Sequence, residues 1–396
     1  MKAVIIAAGE STRTEPITAD TPKPIIKIAN KEIIFRNMEN ASPLVDGFVI
    51  VVGFRKEVIE ERVGNSFDGK PVQYVEQKER LGTGHALMQA EKHVDGKIMV
   101  IMGDDLYGKD DMKRCAKHEN CVLGKEVDDP GKFGVFLLKD GKVTDIIEKS
   151  PNPPSNLANT AFYILSDSIF DELRNARRSE RGEYELTDGV KSLAGKTDVF
   201  CEKVRDYWIP VGYPWHLINA NEFILSRMKD ALNSGVVEDG AVIKGSVSIG
   251  KGTVIRSGSY IEGPVVIGED CDIGPNCYIR PCTSIGNRCR IGNAVEVKNC
   301  VIMDRVRIGH LSYFGDSVIC PDANIGAGTV AANLRHDGTN VRTMVKGKLE
   351  DTGRRKFGTV IGRGASTGIK TSIYPGRKIW PGKWTEPSSI VKEDVR

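Results

Sequence analysis

Two basic side chains near the N-terminus, Arg13 and Lys23, are of the kind that neutralises phosphate. They follow the small residues Ala7-Ala8-Gly9, which lie at and just after the end of the predicted strand Lys2–Ala8. Small residues after a strand let backbone N–H groups approach phosphate oxygens, and a guanidinium offers several donors to them. Lys23 lies in a proline-flanked turn (TPKP) from which it can reach the same phosphates. The stretch therefore predicts a nucleotide or phosphate site.

Two later signals extend this site. Gly82-Thr83-Gly84, in LGTGHAL, is a second loop that permits close approach and opens a helix, which suits a base or ribose edge. Asp104 ends an apolar strand, and carboxylate and phosphate oxygens are the ligands that Mg²⁺ prefers. Each signal is weak alone, and their order along one domain predicts a magnesium-assisted nucleotide site.

The first 212 residues alternate between strand and helix patterns, which predicts an α/β, Rossmann-like domain over residues 1–212 with a mostly parallel sheet. Ligands in such sheets bind at the carboxyl ends of the strands, where AAGESTR (7–13), Glu76-Gln77 and Gly103-Asp104-Asp105 lie. Besides Lys2–Ala8, the predicted strands are Gly47–Gly53, Val72–Glu76 and Ile98–Met102, and the predicted helices are Lys31–Asn40, Glu57–Val63 and Gly84–Lys92.

After a predicted linker helix over residues 213–234, the chain changes to a six-residue rhythm. Such a period predicts a parallel β-helix over residues 235–396, in which each apolar residue points inward and the small residue beside it permits the corner. The rhythm slips by one residue before Ile302 and again before Ile319. The in-phase positions are Ile249, Ile255, Ile261, Ile267, Ile273, Ile279, Ile285, Ile291 and Val297.

The second half carries its own candidates for chemistry. His310 and Tyr313 interrupt the coil rhythm, and a basic insertion without hexads follows over residues 331–356. A long loop on a rigid coil is often functional, and its Lys and Arg residues suit a phosphorylated sugar or the phosphates of coenzyme A. A structural histidine and a solvated surface loop are the alternatives.

Composition narrows the class of protein. The 396 residues are 40% hydrophobic and 28% charged with a net charge of +3, which argues against a dedicated nucleic-acid binder. No apolar run approaches membrane-spanning length, so no membrane partner is expected. Nine cysteines without a CxxC pair predict reduced thiols and a cytoplasmic protein.

The first half resembles the sugar-1-phosphate nucleotidyltransferases in AAG…TR, Pro22-Lys23, LGTGHAL, Gly103-Asp104, SERGEYELTDGV and VGYPW. The resemblance implies attack of a sugar-1-phosphate on the α-phosphate of a nucleoside triphosphate, with Arg13 and Lys23 stabilising the transferred phosphoryl group and Mg²⁺ on Asp104. It also implies two sets of binding residues: Ala8, Gly9, Gln77, Gly82 and Thr83 for the nucleotide, and Gly134, Glu148 and Asn159 for the sugar.

This half departs from the family pattern at three positions. Ser11 replaces a glycine of G-x-G-T-R, and Ala161 replaces the glycine of N-A-G. Pro210 stands where W-x-D-x-G-x-P-W has an aspartate that serves as second metal ligand, and a proline side chain cannot bind a metal. Asp206, four residues away along an extended chain, is roughly 13 Å from that position.

The second half is similar to the acetyltransferase domain of the bifunctional N-acetylglucosamine-1-phosphate uridylyltransferase/glucosamine-1-phosphate acetyltransferases, especially archaeal ones, through YIRP, EVK, HLSYxGDS, GAGT, ANLR and VKGK. The resemblance implies a left-handed coil, acetyl-CoA as co-substrate and a homotrimer with active sites between subunits. His310 would be the general base. The implied binding residues are Arg280, Lys298 and Tyr313 for the sugar phosphate, Asn324 and Asn333 for the amino sugar, and Ala327 for the coenzyme.

The two resemblances together imply a bifunctional enzyme of UDP-N-acetylglucosamine synthesis. It would acetylate glucosamine-1-phosphate with acetyl-CoA and transfer a uridylyl group from UTP to N-acetylglucosamine-1-phosphate with release of pyrophosphate. The choices of UTP over dTTP and of glucosamine over galactosamine stay open. Three alternatives stay open. One is an acetyltransferase with a degenerate N-terminal domain, which Ser11 and Pro210 favour. Another is a nucleotidyltransferase whose β-helix only assembles the oligomer, and the third is a scaffold without enzymatic activity.

Overall fold

The computed structural model describes residues 1–229 and 231–396 and divides into two compact units, each with its own apolar core. The first comprises Met1–Glu10, Pro22–Ile26 and Glu32–Pro210, and the second comprises Ser11–Thr21, Lys27–Lys31 and Val211–Arg396. Two short N-terminal segments therefore belong to the second unit, because their contacts lie there. The domain boundary at residue 212 stays a prediction.

The first unit is built on a ten-stranded mixed sheet with an α/β fold, as predicted. Its strands, in spatial order, are Gly134–Lys139, Lys142–Glu148, Phe200–Lys203, Cys121–Glu126, Leu157–Leu165, Ile98–Met102, Lys2–Ala7, Phe48–Val52, Lys70–Glu76 and Ser66–Phe67. The four from Ile98–Met102 to Lys70–Glu76 are mutually parallel. Phe48–Val52 and Ile98–Met102 are buried throughout, as expected for parallel strands covered on both faces.

The remaining elements of this unit are short. A two-stranded antiparallel pair joins Asp105–Tyr107 to Trp208–Pro210. The α-helices are Ile33–Ala41, Lys56–Val63, Thr83–Gln89, Lys109–Cys115, Ile169–Asn175 and Leu186–Ala194, and the 3-10 helices are Lys23–Ile25, Ser42–Leu44, Glu91–His93 and Pro130–Lys132.

The second unit is a parallel β-helix with three faces, as the hexapeptide period predicts. The first face stacks Val236–Val237, Val254–Ile255, Asp272–Ile273, Arg290–Ile291, Arg307–Ile308, Asn324–Ile325 and Ser366–Thr367. The second stacks Val242–Lys244, Tyr260–Glu262, Tyr278–Ile279, Glu296–Lys298, Tyr313–Gly315, Val330–Ala331, Ser372–Ile373 and Ile390–Val391. The third stacks Val247–Ile249, Val265–Ile267, Thr283–Ile285, Val301–Ile302, Val318–Ile319, Thr359–Ile361 and Arg377–Ile379.

The in-phase isoleucines and Val297 line the core of this coil and are at most 2% exposed. The role predicted for the small residues needs correction. Gly268 follows Ile267, but the left-handed corner residue is Asp270, with φ of +55°. Gly268 is small because the coils stack closely: a Cβ there would lie 2.7 Å from the carbonyl carbon of Gly286.

The helix predicted over 213–234 is shorter, Pro214–Ser226. The chain beyond it pairs with the first coil instead, since the Ile249 amide donates to the Leu232 carbonyl (2.7 Å) and Ser234 donates back to Ile249 (2.9 Å). Asp230 lies outside the described residues. The helix packs on the third face of the coil, where Asn221 donates to the Cys282 carbonyl (2.9 Å).

The other elements of the second unit are the 3-10 helix Thr12–Thr14 and an antiparallel hairpin of Arg342–Val345 with Lys348–Asp351. The hairpin lies inside the predicted basic insertion. Two-residue strands occur at Lys27–Ile28 and Lys31–Glu32, of which Glu32 is counted in the first unit. Within residues 1–229 and 231–396, the helices are too short or too polar to span a bilayer.

Candidate active sites

The predicted nucleotide residues Ala8, Gly9 and Gln77 lie, with Asp104, at one edge of the sheet. Their strands are parallel neighbours, and the ladder continues into the loops: the Gly103 amide donates to the Ile6 carbonyl (2.9 Å), and the Gln77 amide donates to the Val52 carbonyl (2.8 Å). The structure therefore brings these residues to the edge where ligands bind in such sheets.

Lys23 forms the central ion pair of this edge. Its ammonium lies 2.7 Å from Oδ2 of Asp104, and the lysine side chain is 3% exposed whereas the aspartate is 41% exposed. The 3-10 turn Lys23–Ile25, entered through Pro22 and containing Pro24, fixes the lysine backbone. A buried cation beside an accessible carboxylate suits a site that receives phosphate together with its counter-ion.

The loop containing Gly82 has a conformation that needs glycine. Gly82 has φ of +100°, and a Cβ there would lie 2.6 Å from the Tyr184 carbonyl oxygen. The Gln77 side-chain amide donates to the Gly82 carbonyl (3.1 Å), and the Thr83 hydroxyl accepts from the Leu186 amide (3.3 Å). Gln77 and Gly82, both predicted to hold nucleotide, are thus fixed to each other.

The predicted sugar residues also come together. Gly134 lies directly across the antiparallel ladder from Glu148, and a Cβ at residue 134 would lie 2.7 Å from Glu148 Oε1. Val135, the chain neighbour of Gly134, pairs with Ala158, the chain neighbour of Asn159. The amide of Asn159 donates to the Tyr163 hydroxyl (2.7 Å). These three side-chain positions can form one patch for a sugar.

The side chains at this edge fit Mg²⁺ only as an ion that is also bound by the substrate's phosphates. Asp104 offers one accessible carboxylate, and no group of three metal-binding side chains occurs among residues 1–229 and 231–396. Pro210 lies opposite Asp105, whose Oδ2 accepts from Trp208 Nε1 (2.9 Å). Mg²⁺ commonly keeps several waters and binds through one or two carboxylates plus substrate phosphates. These residues fit an ion delivered with a nucleotide.

Arg13 and Ser11 lie in the second unit. Ser11 has φ of +56°, a left-handed conformation that is strained for a residue with a Cβ. Ala161 has the same conformation, with φ of +59°. Both residues that stand in place of family glycines therefore lie at backbone positions that glycine adopts without strain. The Arg13 guanidinium lies 5.4 Å from the centre of the Tyr213 ring.

One basic residue of the first unit was missed by sequence reasoning. Arg80 forms an ion pair with Glu10, which joins the loop after the first strand to the loop before Gly82. The charge of Glu10 next to the predicted phosphate site is therefore offset. The sequence does carry a signal for Arg80, because it is a basic residue in the same loop as LGTG.

In the β-helix, the predicted sugar-phosphate residues Arg280, Lys298 and Tyr313 lie on successive coils of the second face. Lys298 pairs with Gly315, and the Arg280 amide donates to the Val297 carbonyl (2.9 Å). A Cβ at Gly315 would lie 2.6 Å from the Tyr313 hydroxyl and even closer to the Asn333 side-chain nitrogen. Tyr313 and Asn333 therefore converge over a glycine.

A buried polar network holds Asn333. Its amide donates to Oδ2 of Asp316 (2.7 Å), and Asn299 donates to Oδ1 of the same carboxylate (2.8 Å). Arg354, from the insertion, also donates to Asp316 (3.3 Å) and to Glu222 of the helix (2.9 Å). The charge of the buried Asp316 is balanced, and the orientation of Asn333 is fixed.

Lys298 has a basic neighbour that sequence reasoning did not single out. Partial burial and the nearby ammonium of Lys356 lower the pKa of Lys298. Two ammonium groups held close together, with Arg280 adding to the positive potential, suit an anionic ligand. Arg280 itself is paired with Glu296 (2.8 Å), and this carboxylate raises its pKa.

His310 and Ala327 lie at one corner of the coil on consecutive turns. The Gly328 amide donates to the His310 carbonyl (2.8 Å), and a Cβ on Gly309 would lie 2.7 Å from the Ala327 nitrogen. His310 is exposed. Asn324 is on the first face of the coil, paired with Arg307 and Ser366, so it lies on a different face from Arg280 and Lys298.

Comparison with known proteins agrees with this architecture. A family model described as nucleotidyl transferase matches residues 2–227, and one described as GMPPB C-terminal domain matches residues 261–373. The solved structure of a UDP-glucose pyrophosphorylase complexed with UDP-glucose is 26% identical, has a TM-score of 0.53, and covers 57% of this chain and 99% of its own.

Two archaeal proteins match over the whole chain. A bifunctional protein GlmU of Methanocaldococcus jannaschii is 38% identical, covering 100% of this chain and 96% of its own length. A bifunctional sugar-1-phosphate nucleotidylyltransferase/acetyltransferase of Sulfurisphaera tokodaii is 41% identical, with 100% and 98% covered.

An α/β nucleotidyltransferase unit and a parallel β-helix in one chain define a two-part transferase. The chain belongs to the family of archaeal bifunctional sugar-1-phosphate nucleotidylyltransferase/acetyltransferases that includes these GlmU proteins.

Proposed function

We propose that this protein acetylates glucosamine-1-phosphate with acetyl-CoA and then transfers a uridylyl group from UTP to the N-acetylated product. The observation that carries the first-unit activity is the buried Lys23 ammonium 2.7 Å from the accessible Asp104 carboxylate, at the edge where the predicted nucleotide residues meet. The family membership supports the pairing of the two activities in one chain.

In the nucleotidyl transfer, a phosphate oxygen of the sugar-1-phosphate attacks the α-phosphorus of UTP. The bond from that phosphorus to the bridging oxygen breaks, and pyrophosphate leaves. Lys23 and Arg13 would stabilise the charge on the transferred group. Asp104 would hold Mg²⁺, which when bound neutralises charge on the triphosphate. Gly134, Glu148 and Asn159 would orient the sugar.

In the acetyl transfer, the sugar amine attacks the thioester carbon of acetyl-CoA. His310 would accept the proton of the amine, and the carbon–sulfur bond breaks to release coenzyme A. Arg280, Lys298, Lys356 and Tyr313 would bind the sugar phosphate. Because Asn324 lies on another face of the coil, we infer that a homotrimer completes the site, with Asn324 and Ala327 facing a second subunit.

The first activity is tested by pyrophosphate release from UTP and N-acetylglucosamine-1-phosphate in the presence of Mg²⁺. Lys23→Met should lower kcat by at least about 100-fold, the usual cost of a lost transition-state donor. Lys142→Ala is the matched control, because Lys142 forms an ion pair of the same 2.7 Å length with Asp198. Equal loss in both variants would contradict a role for Lys23.

The second activity is tested by thiol release from acetyl-CoA with glucosamine-1-phosphate. His310→Ala should abolish release, whereas His336→Ala, an exposed histidine of the same unit, should not. Thiol release by a protein that forms no pyrophosphate would support the alternative of an acetyltransferase alone, which Pro210 favours. A monomeric mass in solution would contradict the trimer.

The remaining parts of the proposal concern partners and location. All nine cysteines are free thiols, which supports a reducing compartment, and we infer a cytoplasmic enzyme of small molecules. Competition between UTP and dTTP in the pyrophosphate assay would show which nucleotide the enzyme prefers. Thiol release with glucosamine-1-phosphate and with galactosamine-1-phosphate would show which sugar it prefers.

A further inference from the structure

Residues Ser11–Thr21, which carry Arg13, are fastened to the β-helix near its C-terminal end. Lys378 donates to the Glu15 carbonyl (3.2 Å), and Arg363 pairs with Asp20 (2.9 Å). The segment is otherwise buried at Thr14, Ile17 and Thr18. By sequence it connects Glu10 to Pro22, so its ends join the predicted nucleotide loop and the turn that contains Lys23.

Lys378 makes its contact with Glu15 from a buried position in the coil. Its side chain is 2% exposed, and its ammonium also donates to the Met344 carbonyl of the insertion hairpin (2.6 Å). A lysine is almost never buried without partners, and here the partners are two carbonyls from different parts of the chain. Lys378 therefore ties the segment and the hairpin to one strand of the third face.

Arg363 makes a second, independent attachment. Its guanidinium binds Asp20 and donates to the Thr21 hydroxyl (3.2 Å), while another nitrogen contacts Asp322 (3.2 Å). Arg305 donates to both carboxylate oxygens of the same Asp322 (2.6 and 2.9 Å), so it provides a control of matched chemistry.

We propose that Lys378 and Arg363 are positioning residues for the nucleotidyl transfer, and that the β-helix holds the segment carrying Arg13 through them. The inference rests on the proposed function of the first unit. A guanidinium stabilises a transferring phosphoryl group only if its backbone is held in place, since misplacement by about 1 Å can cost 100-fold in rate. The acetyl transfer needs no such hold.

The test compares full-length Lys378→Met and Arg363→Ala with Arg305→Ala. Lys378→Met and Arg363→Ala should each lower kcat for pyrophosphate release at least fivefold and raise KM for UTP. Arg305→Ala should stay within twofold of wild type. Thiol release from acetyl-CoA should stay within twofold in Arg363→Ala and Arg305→Ala, which also reports an intact coil. Arg363→Lys, which keeps a cation for Asp20, should recover part of the rate.

Hydrogen exchange of the amides of residues 12–21 gives a readout that does not depend on activity. We expect at least tenfold faster exchange in Lys378→Met and Arg363→Ala, and no change in Arg305→Ala. Unchanged exchange in both, or faster exchange with unchanged kinetics, would overturn the positioning role. A wild-type protein that releases no pyrophosphate would overturn the proposed function of the first unit, while exchange alone would still decide whether the coil holds the segment.

Discussion

Pro210 lies directly opposite Asp105 in the antiparallel pair of Trp208–Pro210 with Asp105–Tyr107. Directly opposed residues have Cβ atoms about 5 Å apart. An aspartate at residue 210 would therefore bring a second carboxylate next to Asp105, the chain neighbour of the metal-binding candidate Asp104. In the resembling nucleotidyltransferases this position carries a metal ligand.

We expect Pro210→Asp to lower the Mg²⁺ concentration that half-saturates pyrophosphate release by about fivefold, since carboxylates add to Mg²⁺ affinity through charge and oxygen donation. Pro210→Asn is the control, because it has the same shape without the charge. An identical Mg²⁺ dependence in the two variants would mean that residue 210 does not face the ion.

At two positions the family pattern has glycine and this chain has another residue. These residues, Ser11 and Ala161, both have positive φ. A left-handed conformation costs an L-residue roughly 1–2 kcal/mol, whereas glycine loses about 0.5–1 kcal/mol through the entropy of the unfolded chain. Ser11→Gly and Ala161→Gly should therefore each raise the free energy of unfolding by up to about 1 kcal/mol.

Urea denaturation followed by circular dichroism measures this effect. Ala158→Gly is the control for Ala161, because Ala158 is a buried residue of the same strand that is not among the residues with positive φ. It should lower stability instead. A loss of stability in Ala161→Gly equal to that of Ala158→Gly would contradict the strain argument.

The sequence predicted those features that repeat or that involve neighbours along the chain. A six-residue spacing such as Ile273 to Ile279 marks the inward face of the regular coils, so the sequence alone predicts the β-helix. It does not predict the left-handed corners, because residues such as Asp270 and Cys282 occupy them in place of glycine.

Contacts between distant parts of the chain were also missed. Lys356 beside Lys298, Arg80 beside Glu10, and Lys378 on the carbonyl of Glu15 each depend on how the chain folds back. No local pattern marks such residues, since an exposed lysine and a buried one look alike in sequence. The resemblance groups Asn324 with Asn333, although Asn324 lies on the first face of the coil and Asn333 follows the second-face strand Val330–Ala331.

The proximity of Lys356 to Lys298 predicts a change in sugar-phosphate affinity. Lys356→Ala should raise KM for glucosamine-1-phosphate at least tenfold, because it removes one of two ammonium groups that a phosphate would bridge. KM for acetyl-CoA should change less than twofold. The measurement is thiol release with each substrate varied in turn.

Lys348→Ala is the matched control for this prediction, because Lys348 is an exposed lysine of the same insertion. A similar rise in KM for glucosamine-1-phosphate in both variants would indicate a general effect of the basic insertion. A rise in KM confined to acetyl-CoA would indicate that Lys356 binds the coenzyme and not the sugar phosphate.

Lys378 predicts a dependence of stability on pH. Burial lowers its pKa from 10.5 to about 8, although Asp394 and Glu15 oppose the shift and Arg396 and Arg377 add to it. Between these values the unfolded chain binds more protons than the folded one, so the free energy of unfolding rises with pH. The cost of the buried charge is fully present below about pH 8 and is relieved by about pH 10.5. At 1.36 kcal/mol per pKa unit it amounts to about 3 kcal/mol.

Urea unfolding at pH 7.5 and pH 10 tests this directly in the wild type, Lys378→Met and Lys392→Met. In Lys378→Met no ammonium is present to lose a proton. The free energy of unfolding of this variant should therefore rise between pH 7.5 and pH 10 by about 2 kcal/mol less than that of the wild type. Lys392 is exposed, and its variant should follow the wild type because an exposed lysine has a similar pKa in both states. A wild type and Lys378→Met with the same pH dependence would mean that the ammonium of Lys378 is not buried in solution, and would remove the physical basis for its hold on Glu15.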